Sequence, residues 1–284
     1  MMNGQNFDRE FQFTAHDFER IRSLIYEHAG ISLSAGKTDM VYSRIARRLR
    51  ATGLTSFEDY LAYLNREPDE WQHFTNSLTT NLTSFFREPH HFPVLAEQVI
   101  DAKRKGRSPI LLWSSACSTG EEPYSMAMTV IDALGTWTPS VKILATDLDT
   151  NVVRQAAEGI YPMERLEKLP ERDLKRFFLR GKGSQEGMAR IRPEVRALVR
   201  FHPLNLLSDQ WPIKGPFDAI FCRNVLIYFD KSTQHNLLAR FHPLLLQDGR
   251  LFVGHSESLT QVADLFKLQG KTVYVPHGQP MRHA

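Results

Sequence analysis

Apolar side chains recur at Phe18, Ile21, Leu24 and Ile25, the spacing of one face of a 3.6-residue helix. Thr14 stands before that stripe and Asp17 follows three residues later, a capping-box-like start with Asp in place of Glu or Gln, and Gly30 predicts the stop. Further helices are predicted over about 38–51, ending near Gly53, and over 57–64, 71–78 and 92–105. After the polar stretch 103–109 the period changes. Short apolar runs at 110–113, 141–146, 217–222 and 250–254 alternate with helical stretches. That alternation predicts a parallel sheet covered on both faces.

The pattern therefore reads as two domains, a helical one over 1–90 with the start of a linker and an α/β one over 91–284. Residues 161–202 fit the alternation badly. A helix over 171–178, a glycine-rich loop over 180–187 and two short runs at 188–192 and 198–201 suggest a small antiparallel β insertion.

Composition narrows the classes. The chain has 284 residues, 42% hydrophobic and 24% charged, enough for a sizeable core. A formal charge of only +3 does not mark the whole chain as a nucleic-acid binder, so any such claim rests on local clustering. The two cysteines, Cys117 and Cys222, sit in apolar runs, which argues against a disulfide framework or a zinc site. The amino-terminal MMNGQNFDREF is polar and no run of ~18 apolar residues occurs, so a cytoplasmic, non-membrane protein is expected.

The candidate chemistry lies at 110–125. A strand is followed by the small residues Ser114, Ser115, Ala116, Cys117, Ser118, Thr119 and Gly120, then by a helix starting near Pro123. A dinucleotide site would place G-x-G-x-x-G here and receive pyrophosphate at the helix start. This chain has one glycine followed by Glu121 and Glu122. Two carboxylates repel phosphate and suit a cationic ligand such as S-adenosylmethionine; the plainer reading is a tight turn before a charged helix start. Asp147 ends the second strand, where ribose hydroxyls are bound in nucleoside sites, although a helix cap is the plain alternative. Arg223 and Asn224 end a later strand at the carboxyl edge of the sheet.

Four segments, 78–88, 118–125, 221–229 and 254–257, together with 244–253, which is similar to the L-x-x-G-G-x-L motif of class I methyltransferases with Asp248 for the first glycine, resemble one family. It is that of the bacterial chemoreceptor glutamate methyltransferases of the CheR type, and the resemblance covers about residues 14–275. It implies a class I, Rossmann-like doubly wound sheet that binds S-adenosylmethionine, beside an N-terminal all-helical domain and with the small antiparallel β insertion. It implies that Asn81, Thr83 and Arg87 touch the cofactor, with Arg87 near the methionine carboxylate. Glu122 would meet the ammonium, Asp147 the ribose, and Asn205 and Leu206 the adenine pocket, which Arg223 and Asn224 would close. Tyr228 would stand beside the transferred methyl, so that Arg87 and Tyr228 are the expected catalytic pair. A glutamate substrate, with a pKa near ~4.3, is already ionised at neutral pH. In-line methyl transfer to it needs alignment and exclusion of water rather than a base or a metal.

Lys37, Arg44, Arg47, Arg48 and Arg50 make a basic helix, with Arg44, Arg47 and Arg48 on one face. A generic protein would carry this as a solvated face. The resemblance instead implies docking on the cytoplasmic, glutamate-bearing helices of chemoreceptors. It also implies that a β insertion can hold a receptor's C-terminal pentapeptide by strand addition. Gly181, Gly183, Gly187, Arg190 and Arg192 are the candidate residues, and a simple lid over the site is the alternative. The expected form is a monomer. Competing readings are a nucleic-acid methyltransferase, which lacks an N/D-P-P-Y-type motif here, and a non-catalytic cofactor-sensing module.

Overall fold

A computed structural model describes residues 9–259 and 262–277. The chain forms two compact units, Met1–Thr80 and Asn81–Ala284. The division falls before residue 90 because residues 81–90 are tied into the second unit. There Phe85 is buried with its ring edge-on to Tyr161 and Phe178, 5.1 and 5.5 Å between centroids. The Phe86 N–H donates to Ser125 Oγ at 2.9 Å.

The first unit packs four helices, α1 (Ala15–Ala29), α2 (Thr38–Thr52), α3 (Phe57–Arg66) and α4 (Pro68–Leu78). Thr14 and Asp17 form the expected reciprocal cap of α1, and glycines 30 and 53 take the left-handed conformation that ends α1 and α2. Pro68 at the first turn starts α4 three residues ahead of the predicted Trp71. The buried stripes are Phe18, Ile21 and Ile25 on α1, Val41, Ile45 and Leu49 on α2, and Phe57, Tyr60, Leu61 and Leu64 on α3.

Of the five basic residues, Lys37 is the N-cap of α2 and the other four lie within it, and two of these, Arg44 and Arg48, bind backbone or buried partners inside this unit. Arg44 donates to the carbonyls of Ser77 and Thr79 at 3.3 and 2.5 Å, which satisfies backbone left open at the end of α4. Arg48 forks onto the Glu70 carboxylate with bonds of 2.9 and 2.8 Å. The Tyr60 hydroxyl donates to the same carboxylate at 2.7 Å. The Glu70 side chain is only 6% exposed. Arg48→Ala is therefore expected to lower the stability of this unit by about 3 kcal/mol, because it strands a buried charge. Thermal unfolding of the full chain checks this, and Glu70→Gln in the same background should recover part of the loss.

The second unit contains, in chain order, α5 (His91–Arg104), β1 (Ile110–Ser114), α6 (Glu121–Leu134), β2 (Val141–Asp147), α7 (Thr150–Glu158), β3 (Ile160–Pro162), α8 (Glu171–Phe177), β4 (Phe178–Arg180), β5 (Met188–Ile191), α9 (Pro193–Arg196), β6 (Val199–Pro203), β7 (Phe217–Cys222), α10 (Lys231–Phe241), β8 (Leu245–Val253), β9 (Phe266–Gly270) and β10 (Val273–Pro276). Seven strands form one sheet in the order β6-β2-β1-β7-β8-β10-β9. The pairs from β6 to β8 are parallel, and β10 is antiparallel to both β8 and β9. Side chains alternate between two cores, as the strand period requires. Leu112, Phe221 and Phe252 join α5 and α6 on one face. Trp113, Ile220, Cys222, Leu251 and Val253 join Leu237, Leu238 and Phe241 of α10 on the other.

The insertion is a three-stranded sheet in the order β3-β5-β4, antiparallel throughout. One expectation is corrected. The run 198–201 is not its second strand but belongs to β6, which pairs in parallel with β2 from Ile143↔Val199 to Asp147↔Pro203. A short apolar run looks the same in either sheet, and only the pairing separates them. The hairpin of β9 and β10 had no counterpart in the predicted elements. Asp248, the departure from the methyltransferase motif, bonds to Arg107 at 2.7 Å and to Lys105 at 2.6 Å. Arg107 also holds Asp218 at 2.8 Å. This ties the polar stretch after α5 to β7 and β8.

Candidate active site

The loop after β1 is stitched into the sheet on both sides. Ser115 N–H and Oγ both donate to the Phe221 carbonyl, at 2.9 and 3.0 Å, and Cys117 N–H donates to the Thr146 carbonyl at 2.8 Å. At Gly120 φ is +97°, and a Cβ there would lie 2.9 Å from both Ala156 Cβ and the Tyr161 hydroxyl. Only glycine fits, and the chain turns there into α6.

Ser118, at φ 47°, links two of the expected residues. Its N–H donates to Asp147 Oδ2 at 2.8 Å, and its hydroxyl donates to the Asn81 carbonyl at 3.1 Å. Asp149 N–H donates to Asp147 Oδ1 at 3.0 Å, and Asn81 Nδ2 donates to Asp149 Oδ2 at 2.9 Å. Asp149 also caps α7. Asp147 is thus both the predicted residue at the end of β2 and the centre of a local network. Burial pushes its carboxyl up to about 6, against the backbone donors that favour the ion.

The two carboxylates at the start of α6 have different surroundings. Glu121 is buried and paired with Arg165 at 2.8 Å and Thr119 Oγ1 at 2.7 Å, which makes it an anchor for the segment before α8. Glu122 accepts from Ser114 Oγ at 2.7 Å and from Arg223 Nη1 at 3.1 Å. Burial raises the Glu122 pKa and Arg223 opposes that rise. The Arg223 side chain is 2% exposed and lies between two acids, since Nη2 is also 3.3 Å from Glu88 Oε2. Nη2 donates to the Arg87 carbonyl as well.

Glu88 accepts from His255 N–H at 3.1 Å and from Asn224 Nδ2 at 3.4 Å, and lies 3.0 Å from His255 Nδ1. Burial works to raise its pKa, but His255, Arg223 and Asn224 together hold it down to about 2. Among the described residues, Glu88, His90 and His91 bring one ligating atom each within 4.8 Å of one another. Arg223 beside Glu88 disfavours a cation there.

Asn224 (φ 57°) completes the ring. Its N–H and that of Gly254 donate to Glu257 Oε2 at 2.8 and 2.6 Å, and Ile227 N–H donates to Oε1 at 3.3 Å. Arg87 Nη1 donates to the Leu82 carbonyl at 2.8 Å. Thr83 and Tyr228 are half-buried. Asn205 Oδ1 accepts from Leu207 N–H at 2.9 Å, a local turn, while the Leu206 side chain belongs to the core that holds Trp113. The geometry therefore joins Asn81 with Asp147, and Arg87 with Glu122, Arg223 and Asn224. Thr83 and Tyr228 stand beside those networks as half-buried side chains, and Leu206 contributes to the core beneath them. Glu88, Ser118 and Glu257 lie in the segments that carry the resemblance but were given no role of their own from sequence. Left-handed backbone at Phe86, Glu88, Ser118 and Asn224, unusual for residues with side chains, marks the same place, but no composition signal announces it.

Of the remaining expected residues, Lys37, Arg47 and Arg50 are exposed, with Arg50 Nε 3.1 Å from Glu10. Gly181 is confined, since a Cβ would come within 2.0 Å of the Gln185 carbonyl oxygen, whereas Gly183 and Gly187 take positive φ in open space. Arg190 is exposed on β5, the central strand, and Arg192 lies just past that strand at the N-cap of α9. Both cysteines are buried, and burial pushes their thiols well above the usual range, which removes them as nucleophiles at neutral pH.

The sequence matches the CheR methyltransferase all-alpha domain over residues 16–79 and the CheR methyltransferase SAM binding domain over residues 81–275. It is 51% identical over 269 residues to chemotaxis protein methyltransferase 2 of Pseudomonas aeruginosa, covering 95% of this chain and 96% of that one. It is 54% identical over 259 residues to the chemotaxis protein methyltransferase of Escherichia coli, covering 90% and 89%. With both of its units matched in order and relatives of this identity over nearly its whole length, the chain belongs to the CheR methyltransferase family.

Proposed function

We propose that this protein transfers a methyl group from S-adenosylmethionine to glutamate side chains of chemoreceptors, giving glutamyl methyl esters, and that it works in the cytoplasm as a monomer. The observation that carries the cofactor reading is the pair of carboxylates held largely out of water at the carboxyl edge of β1 and β2, Asp147, which is buried, and Glu122, whose side chain is 12% exposed. That donor set fits a nucleoside bearing an ammonium and opposes one bearing phosphates. Among the described residues no helix is long and apolar enough to cross a membrane.

Glu122 would take the ammonium, Asp147 the ribose hydroxyls, Asn205 and Leu206 the adenine, and Arg87 the carboxylate, with Asn81, Thr83, Arg223 and Asn224 around them. When bound, the cofactor supplies an electrophilic methyl on a sulfonium. The chain's own residues have no proton to remove, because the acceptor carboxylate is ionised at neutral pH. Their contribution is alignment: Arg223 holds Glu122 and the Arg87 backbone together, and Tyr228 would border the transferred methyl and keep water out. Positioning of this kind supplies up to ~7–11 kcal/mol in ideal cases.

Receptor recognition is assigned to the exposed cations Lys37, at the N-cap of α2, and Arg47 and Arg50 within it, rather than to Arg44 and Arg48, which are half-buried on backbone or buried partners. A receptor C-terminal peptide would add to an edge of the small sheet. Because β5 is central, that edge is β3 or β4, and Arg190 would face the peptide from the middle strand. A weak tether suffices, since a flexible tail gives millimolar effective concentration.

One experiment tests these points together. Labelled cofactor is incubated with receptor-bearing membranes, and the product is exposed to mild base. Loss of the label as a volatile product supports carboxyl esters, and base-stable label overturns the glutamate reading. In the same assay Arg47→Glu is expected to lower receptor methylation at least tenfold with cofactor affinity unchanged. Receptors shortened by five C-terminal residues should be methylated more slowly, and equal rates would remove the tether.

A further inference from the structure

The motif Gly254-His255-Ser256-Glu257 contains a carboxylate to which the proposed cofactor site gives no role. Glu257 is 5% exposed. Among the described residues no cationic side chain pairs with it, and its partners are backbone N–H groups from two different loops. A buried carboxylate is retained only where its acceptors are well satisfied, and here that satisfaction joins the loop after β7 to the loop after β8.

We propose that Glu257 is a positioning residue that fixes Asn224 and Tyr228 in the active site. Oε2 holds the N–H groups of Asn224 and Gly254, and Oε1 holds Ile227, the residue before Tyr228. The chain between Asn224 and Ile227 thus wraps around one carboxylate. The opposite side of the same turn is fixed by Gln234, whose Nε2 donates to the carbonyls of Leu226 and Phe229 at 2.8 and 3.0 Å. The closure has no slack, since a Cβ on Gly254 would lie 2.5 Å from Asn224 Nδ2 and 2.8 Å from Glu257 Oε2. The left-handed backbone of Asn224 is held in place by the same bond. The direction of the Tyr228 side chain then follows from two buried side chains, Glu257 and Gln234, that grip the backbone on either side of it. This inference rests on the reading of Asn224 and Tyr228 as site residues.

Glu257→Gln tests it in the full chain. A glutamine keeps the shape but offers one acceptor. With that oxygen on the Asn224 and Gly254 side, two bonds survive and the amide NH2 opposes the Ile227 N–H. The expected result is a 10- to 100-fold lower kcat at saturating S-adenosylmethionine, less than threefold change in cofactor Kd by calorimetry, and an unfolding temperature near that of the parent. A misplacement near 1 Å is enough for a loss of that size. A kcat within twofold of the parent, or a loss that merely tracks the folded fraction, overturns the proposal. If the glutamine variant does not fold, Glu257→Asp, which retains both acceptors on a shorter arm, replaces it with the same expected split and the same overturning result. Tyr228→Ala, which removes the ring, is measured alongside. If it leaves kcat unchanged, the site reading itself fails, whereas a slow Tyr228→Ala beside a normal Glu257→Gln overturns the positioning role alone.

Discussion

Arg223→Met is expected to lower the stability of the second unit by about 3–5 kcal/mol and to abolish detectable cofactor binding. Arg223 is buried between Glu122 and Glu88 and also holds the Arg87 backbone. Removing the guanidinium leaves two acids largely out of water with no counter-charge, the case in which breaking a buried pair is most damaging. Lysine cannot replace it, because one ammonium cannot span three acceptors that a planar fork reaches. Thermal unfolding with and without S-adenosylmethionine measures both effects. Adding Glu122→Gln to Arg223→Met should restore part of the stability without restoring binding. A singly substituted chain as stable as the parent, with normal affinity, would show that the network has no such role.

Asp147→Ala is expected to weaken cofactor binding more than tenfold while the chain stays folded, as read by calorimetry. The position also gives a pH signature. With its carboxyl pushed up to about 6 by burial, Asp147 is protonated in the folded protein at pH values where an exposed aspartate is still ionised. The folded state therefore gains from the proton below the ordinary value of 3.8, and that gain is lost as pH rises from there through about 6. Binding follows the opposite course, since the ion is the better acceptor for hydroxyls. Cofactor affinity should fall as pH drops through about 6. Glu122 is raised as well, so the informative quantity is the difference between the parent and Asp147→Asn, whose profile should be flatter. Parallel profiles would mean that Asp147 does not carry the dependence.

Elements with a period of their own were legible. The amphipathic helices of the first unit, the caps at Thr14, Gly30 and Gly53, and the strands β1, β2 and β7 follow from local spacing, and the structure changes them by a few residues. What spacing cannot encode is which sheet a short strand joins. Residues 198–201 therefore read equally well as part of the insertion and as the edge strand β6. The same limit applies to the site. Asp147, Glu122 and Arg223 stand at strand ends or helix starts, where position suggests a role. Their surroundings depend on partners far along the chain, such as Glu122 with Arg223 and Glu88 with His255. The basic helix shows the converse. Arg44 and Arg48 looked like surface charge because nothing in their own helix reveals Glu70 or the open carbonyls at the end of α4.

Phe86, Glu88, Ser118 and Asn224 all hold backbone conformations that glycine would adopt with less strain. Relieving that strain is worth on the order of 1 kcal/mol at each position, yet glycine would delete the Phe86 ring from its contact with Phe92 and the Glu88 carboxylate from its pairing with Arg223, and the second of these losses is the larger. A laboratory lineage evolved only for thermal tolerance would therefore leave these four positions alone and find its gains elsewhere in the scaffold.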